Sequence, residues 1–512
     1  MKTLPPTRSQ WNLSSRLTRP KCNPSQAANK ENRSGEPVSR GLSQQKRVSV
    51  APRIDLSSTL ALHDRLLNRW KDDPTSCQSA CDRASETLAA RETKFEGARK
   101  MSFALSALLL KPQHVEVLRN IGESLHHITE TAIDWVLSDH DRFLQFFPDH
   151  ERIWPWLRKA PHAAHWQGVS RYDAVIAADG QIRIMELNTG CPAGFFHAEN
   201  FSDVTAQALS ESQGSENSLK ANQFGTIPER TLCDELLVME REGRRRPGLI
   251  ALVNDENELQ NELALFQRQL RSLGRRAEIV NAREIRWTNS QAHVNGEPIS
   301  LAYNKIRIST PNSPGHHWRP GFEDRYAGFL EAIANDGIVA VNNLACLTVG
   351  EDKGLLEVLR TPEFMDRLTP EERVVVDNHV LPTARLRDGL VNWGGKSVDW
   401  IPFVRANRER LVIKPANEGR GFGVVVGKHA TLEEWNTACE LDPNLPKVVQ
   451  EYSEPASLPI QRDVDGEPAA HYLTVGLAMI RGQYSGLLSR VSTNPVTNVG
   501  RDGVVQAVFV EE

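Results

Sequence analysis

Along the chain the spacing of apolar residues changes period several times, and each change marks a different kind of element. From Asp55 to about Ser138, "LALHDRLLNRW" and "QHVEVLRNIGESLHHITETAIDWVL" carry apolar residues at three- and four-residue intervals. That spacing predicts amphipathic helices. The period then drops to two: "YDAVIAADGQIRIMELN" reads as two strands joined at Ala178-Asp179-Gly180, because Asp-Gly favours hairpin geometry. A polar stretch near Ser210 to Asn222 reads as a surface connection. "PGLIALVNDENELQNELALFQRQLRSLGRRAEIVNA" follows as strand, helix closed by Gly274, and strand, a Rossmann-like βαβ unit, and "ISLAYNKIRI" adds a strand to it. After "GIVAVNNL" and a helix expected from about Asp352 to Arg360, "ERLVIKPANEGRGFGVVVG" reads as strand, glycine loop, strand. "KVVQEYS", "HYLTVGLAMIRGQYSGLLSRVS" and "VVQAVFVEE" supply the last strands. No internal repeat is visible.

Composition narrows the class without naming a function. The 512 residues allow two to four structural units. Hydrophobic content of 39% and charged content of 25% are those of an ordinary globular protein. A net charge of -4 gives no electrostatic case for nucleic acid or an anionic membrane. The longest apolar run, Ala104 to Leu110, falls far short of the roughly 20 residues that span a bilayer. Seven cysteines scattered over the chain suggest no disulfide framework. Cys77 and Cys81 lie one helical turn apart but lack a second pair to complete a zinc site. Residues 1–54 form a basic tail: the first thirty contain no Asp or Glu and many Ser, Pro and Asn. Such a segment buries too little apolar surface to offset chain entropy and is read as disordered. Its composition also suits an organelle transit peptide, although no clear amphipathic helix accompanies it. The default location is the cytoplasm. Deleting residues 1–50 is expected to leave the melting temperature nearly unchanged; a large loss in the truncated protein would show that the tail packs.

The glycine loop is where chemistry enters. Its spacing fails Walker A, with His429 where Ser or Thr must reach magnesium. It precedes a β-type run instead of opening a helix, which excludes the dinucleotide fingerprint. It follows the "LVIK" strand, whereas in protein kinases the loop comes first. What remains is a hairpin whose tip closes over phosphates. Gly419, Gly421 and Gly423 let backbone N–H groups approach phosphate oxygens, Lys414 supplies positive charge, and Glu418 offers oxygen to a hard cation. Glu186 and Asn188, two apart on a strand, face one side and extend that oxygen set.

"VIKPANEGRGFGVVVG" resembles the glycine-loop hairpin of ATP-grasp ligases, in the circularly permuted branch of glutathione synthetases and glutathionylspermidine synthetases. "SRYDAVIAADGQIRIMELNTG" is similar to that branch's metal-bearing hairpin, "VGEDKGLLEVL" to the segment with its first nucleotide lysine, and "VLPTARL", "VVQEY" and "SRVSTNPVTNVGRDGVVQAVFV" follow in the same order. The resemblance runs from about Gly168 to the C-terminus. It implies an α+β fold: a circularly permuted ATP-grasp with a Rossmann-like subdomain and a helical N-terminal region. The implied parts are 55–138 (helical region), 139–215 (first core part with the metal hairpin), 216–345 (Rossmann-like substrate subdomain) and 346–512 (nucleotide part).

By the same resemblance, Glu186, Asn188 and Glu418 are ligands for Mg²⁺, and Lys353 and Lys414 contact the phosphates of ATP. Gln450 or Glu451 faces adenine and ribose; strand neighbours point oppositely, and the sequence does not choose between them. Arg171 and Asp173 bind or order a carboxylate substrate, Lys305 and Arg307 on one strand face serve the same substrate or pair structurally, and Arg490 approaches the reacting centre. The implied activity is an ATP-dependent carboxylate–amine ligase, acting on a small-molecule or peptide carboxylate and an amine through an acyl phosphate and releasing ADP and phosphate. A phosphotransferase and a non-catalytic nucleotide-binding module of the same fold are the alternatives. Two departures stand out. Arg420 and Phe422 alternate with single glycines where many relatives have adjacent glycines, and "NTGCP" puts Cys191 and Pro192 where substrate contacts are expected. Cys191 reads as a packed residue, since no histidine partner is identifiable.

Overall fold

A computed structural model describes residues 52–94, 101–157, 166–190, 192–213, 229–243, 247–255, 259–309, 318–419, 421–499 and 503–511. The basic tail up to residue 51, Cys191 and Arg420 lie outside them. Residues 51–512 form one compact unit.

The centre is a seven-stranded sheet. Along its main path the order is Ala107–Leu110, Val504–Val510, Gln483–Ser492, Ala469–Ile480, Val169–Ile176 and Ile182–Asn188, with Ser457–Ile460 also paired to Ala469–Ile480. Two faces follow from strand alternation. Leu473, Val475, Leu477 and Met479 belong to the same core as Leu118, Ile121 and Leu125 of the helix Pro112–Leu137. Thr474, Gly476 and Ala478 take the opposite face, the one that carries the candidate site.

Three expectations are corrected here. The N-terminal region is not a purely helical appendage: Ala107–Leu110 is a strand, parallel to Val504–Val510 in the central sheet. Its four residues are all buried, so the sequence shows no alternation to betray it. Ile54, placed at the end of the tail, is buried, and its N–H donates to the Gly180 carbonyl in the hairpin turn. The helix expected over 352–360 shortens to Leu355–Val358. Helices do fill most of the rest of that N-terminal region, at Ser57–Asp72, Pro74–Ala90 and Pro112–Leu137. Cys77 and Cys81 pack in the core beside Leu62 and Trp70.

The hairpin Val169–Ile176/Ile182–Asn188 forms as its pattern requires, with Gly180 at φ +81°. It contains a bulge: Asp173 pairs with Glu186, but Ala174 pairs with Ile184, leaving Met185 extra. Glu130 of the long helix anchors the hairpin's start, its carboxylate accepting from the Trp166 and Gln167 N–H groups. Burial pushes that carboxyl up to about 7 against these donors.

A second sheet holds Leu249–Asn254 between Ala277–Asn281 and Glu297–Asn304, all parallel, with Val339–Val341 beyond. The glycine loop belongs to a four-stranded antiparallel sheet in the order Thr383–Arg385, Lys447–Glu451, Leu411–Pro415, Val425–Val426. Leu411, Ile413 and Val449 on one face of it pack on Trp400 and Trp435. No helix among the described residues is long and apolar enough to cross a membrane.

Candidate functional site

The free face of the glycine-loop sheet is set by alternation. With Leu411 and Ile413 committed to the tryptophans, Val412 and Lys414 take the other side, where Val412 pairs with Gln450. Lys414 Nζ lies 2.6 Å from Gln450 Oε1 and 3.3 Å from the Met185 carbonyl. Gln450 Nε2 donates to the same carbonyl at 3.2 Å and to Thr383 Oγ1 at 2.9 Å. The hairpin bulge explains this meeting, because a bulged residue loses its ladder partner and its carbonyl can turn outward. Lys414 is therefore buried against neutral acceptors, and burial pushes its amine down to about 8 although Glu186 pulls the other way. Gln450 is buried with Lys414, whereas Glu451 turns away, half-exposed and 4.0 Å from Arg410. In the loop, Gly421 and Gly423 adopt φ of +70° and +67°, conformations that favour glycine. A Cβ on Gly419 would meet only open space.

Beyond Met185 the hairpin presents Glu186 and Asn188 on one face with Asp173 and Arg171, their direct cross-strand partners. Asn188 Nδ2 lies 3.3 Å from the Arg171 carbonyl. Lys353 reaches this face from another element: its Nζ is 3.1 Å from Glu186 Oε1 and 2.8 Å from the Glu418 carbonyl. Burial disfavours the Lys353 charge, but Glu186, with Glu351 and Asp352, outweighs it and holds the amine above its usual range. Lys353 is aimed by its neighbour. Asp352, fully buried, accepts from His150 Nε2 at 3.0 Å, Arg385 Nη2 at 2.9 Å and the Gly354 N–H at 2.7 Å.

Glu186, Asn188 and Glu418 each carry side-chain oxygen of the kind a hard divalent cation takes. Glu186 and Glu418 converge on Lys353, the first through its carboxylate and the second through its backbone. Among the described residues no three His, Cys, Asp or Glu side chains cluster as a metal site by themselves. A cation held here would therefore draw on Asn188 and on phosphate oxygens as well.

The far end of the face is an arginine pair around one carboxylate. Arg171 Nε and Nη2 contact Asp173 at 2.6 and 3.0 Å, and Arg490 Nη2 contacts it at 2.8 Å. Burial favours the neutral acid, but the two guanidiniums prevail and hold Asp173 at about 2. Opposite Asp173 stands Gly476, where a Cβ would come within 2.7 Å of both Arg171 and Asp173. Glycine is what lets the pair lie flat on the sheet. Arg490 Nε and Thr474 Oγ1, on directly opposed residues, are buried without a hydrogen-bond partner. Two guanidiniums share the Asp173 carboxylate, and Glu186 and Glu351 also act on Arg171.

Lys305 and Arg307 do not share a strand face, because the strand ends at Asn304. Lys305 Nζ instead lies 3.0 Å from the Pro192 carbonyl and 3.4 Å from Glu262 Oε2. Glu262 also accepts from the Gly194 N–H, so this pair ties the Pro192–Gly194 segment to the helix Gln260–Ser272. Half-buried Arg307 favours the charged form of Glu351. Glu351 joins this region without a sequence signal of its own. It accepts from the Gly190 N–H, and burial together with Glu186 pushes its carboxyl up. It sits inside "VGEDKG", but no spacing rule separates it from a surface glutamate.

The fold has a solved counterpart. A glutathione synthetase-like effector, GSS30, from Globodera pallida superposes with a TM-score of 0.55 over 86% of this chain and 98% of its own, at 10% identity. D-cycloserine synthetase DcsG overlaps 40% of this chain and 59% of its own at 16% identity, with a TM-score of 0.24 that carries no weight. No family model matches the sequence, and no curated protein does. The chain thus has the fold of a glutathione synthetase-like protein.

Proposed function

We propose that this chain is an ATP-dependent carboxylate–amine ligase of the circularly permuted ATP-grasp type, using Mg²⁺. A carboxylate oxygen of the first substrate attacks the γ-phosphorus of ATP, the bond to ADP breaks, and an acyl phosphate forms. The amine nitrogen of the second substrate then attacks the acyl carbon, the carbon–oxygen bond to phosphate breaks, and the nitrogen loses a proton as phosphate leaves. Such transfer depends mainly on positioning and charge neutralisation. Lys414 and Gln450 hold the nucleotide end, the glycine loop covers the phosphates, and Lys353 meets the transferred group. Arg171 and Arg490 hold the acyl-donor carboxylate. Mg²⁺, held by Glu186, Asn188 and Glu418, neutralises phosphate charge when bound.

The observation that carries the reading is a single continuous face. It runs from Lys414 and Gln450 through Lys353 and Glu186 to Asp173, Arg171 and Arg490, from a cationic phosphate end to a cationic carboxylate end. The test is a screen of purified protein, ATP and Mg²⁺ against mixed carboxylates and amines, read by ADP release and new amide mass. A phosphorylated acid unaffected by amines would identify a phosphotransferase, and nucleotide binding without turnover a binding module. Glu418→Ala is expected to abolish ADP release with the fold intact, because it removes one anionic oxygen from the cation site. Wild-type turnover at unchanged Mg²⁺ dependence would remove Glu418 from that site.

A further inference from the structure

Between Lys353 and the arginine pair lies a carboxylate to which the two chemical steps above give no role. Glu351 follows the helical turn Cys346–Gly350 and precedes Lys353 by two residues. That turn is fastened to the end of the hairpin Val169–Ile176/Ile182–Asn188. Thr189 Oγ1 donates to the Cys346 carbonyl at 2.8 Å, and the Gly190 N–H donates to Glu351 Oε1. A Cβ on Gly190 would come within 2.9 Å of that oxygen, so glycine is what admits the carboxylate. Gly190 lies two residues beyond Asn188, the cross-strand partner of Arg171. The Glu351 charge accordingly acts on Lys353 and Glu186 to one side and on Arg171 to the other, and on Arg307 as well.

Its surroundings leave it able to act. Glu351 is half-buried, whereas its neighbours Asp352 and Lys353 are buried. Among the described residues its one hydrogen bond is the one from Gly190, so Oε2 keeps its accepting capacity. Asp173, by contrast, is taken up by its two arginines, and Glu186 by Lys353. Burial strengthens the hold of Glu351 on a proton against the Gly190 donor, the direction that suits a base working near neutral pH.

We infer that Glu351 receives the amine of the second substrate and takes its proton. The inference rests on the ligase reading above and adds a catalytic residue to its second step. An alkyl amine arrives as an ammonium ion, which has no lone pair with which to attack. Glu351 accepts a hydrogen bond from that ion and removes one proton, leaving a neutral amine beside the acyl phosphate. The nitrogen attacks the acyl carbon, the carbon–oxygen bond to phosphate breaks, and the departing phosphate takes the second proton. Glu351 returns its own to water once the amide has left. A positioned base of this kind contributes about 10²- to 10⁴-fold.

The experiment separates the two steps in the full chain with ATP and Mg²⁺. An acid panel of amino acids and dipeptides is turned over with two kinds of amine. Glycine, ethanolamine and 1,3-diaminopropane are ammonium ions near neutral pH; hydroxylamine is largely neutral there and needs no base to become a nucleophile. Glu351→Gln keeps an oxygen for the Gly190 N–H but cannot take a proton. It is expected to lower amide formation about 100-fold or more, while hydroxamate formation stays within about threefold of the wild type. Glu351→Asp draws the carboxylate back by one methylene. It should repeat the contrast at about tenfold or more, and carries the test if the first variant does not fold. Amide and hydroxamate falling together in a folded variant would make Glu351 a structural clamp on Gly190 and overturn the inference. Amide formation at the wild-type rate would overturn it too, and either result leaves the ligase reading standing. Wild-type protein that forms no amide with any amine of the set would overturn both.

Discussion

Replacing Lys414 with methionine is expected to weaken ATP binding roughly 10- to 150-fold while changing the stability of the fold by no more than about 2 kcal/mol. A hydrogen bond from a charged donor contributes about 1.5–3 kcal/mol, which sets the binding loss. The small effect on stability follows from two opposed terms. Burial moves the Lys414 amine from 10.5 to about 8, which corresponds to about 3 kcal/mol against the charged form. Both folded and unfolded chains hold the proton below about pH 8, so the cost is fully present there. It is relieved as pH rises from 8 toward 10.5. Methionine removes that cost but leaves Gln450 Oε1 without its donor, a loss of about 1–3 kcal/mol. The same titration predicts that ATP affinity of the wild type falls above pH 8, as the free lysine loses its proton. In Lys414→Met that fall should disappear. Calorimetric titration of both proteins from pH 7 to 9.5 measures it; equal affinities would remove Lys414 from the nucleotide site.

The second large effect is expected at Glu186 and has the opposite signature. Glu186→Gln should lower kcat by about 10²- to 10³-fold, raise the Mg²⁺ requirement, and alter nucleotide affinity less than about threefold. Lysines contact phosphate in ground and transition states alike, whereas a cation ligand helps most as charge shifts during transfer. The variant also strands Lys353, whose carboxylate partner at 3.1 Å is lost while its buried charge remains. Removing one partner of a buried ion pair costs about 3–5 kcal/mol. The melting temperature should fall. Identical kinetics and identical melting temperatures in the two proteins would place the hairpin outside the site.

These two predictions depend on parts the sequence made visible to different degrees. The hairpin was legible because Asp179-Gly180 and strict alternation announce a two-strand turn, and Glu186 and Asn188 share a face by period alone. The Met185 bulge was not, since a bulge is a property of two strands in register, yet it delivers the carbonyl that Lys414 and Gln450 grip. Lys305 and Arg307 were given a common strand face because "AYNKIRI" alternates. The strand stops at Asn304, where Lys305 turns to Pro192 and Glu262. The strand Ala107–Leu110 left no periodic trace because both of its faces are buried, and its partner lies about four hundred residues away. The inward choice of Gln450 over Glu451, and the approach of Glu351 to Gly190, likewise come from tertiary packing that local patterns do not encode.

In the proposed reaction a carboxylate takes the γ-phosphoryl group of ATP before an amine displaces it. The most direct measurement labels the carboxylate oxygens of the acid panel with ¹⁸O and follows turnover with ATP, Mg²⁺ and amines by mass spectrometry. One ¹⁸O atom should pass from acid to released phosphate for each amide formed, with ADP as the nucleotide product. Unlabelled phosphate, or label carried into AMP with release of pyrophosphate, would contradict it.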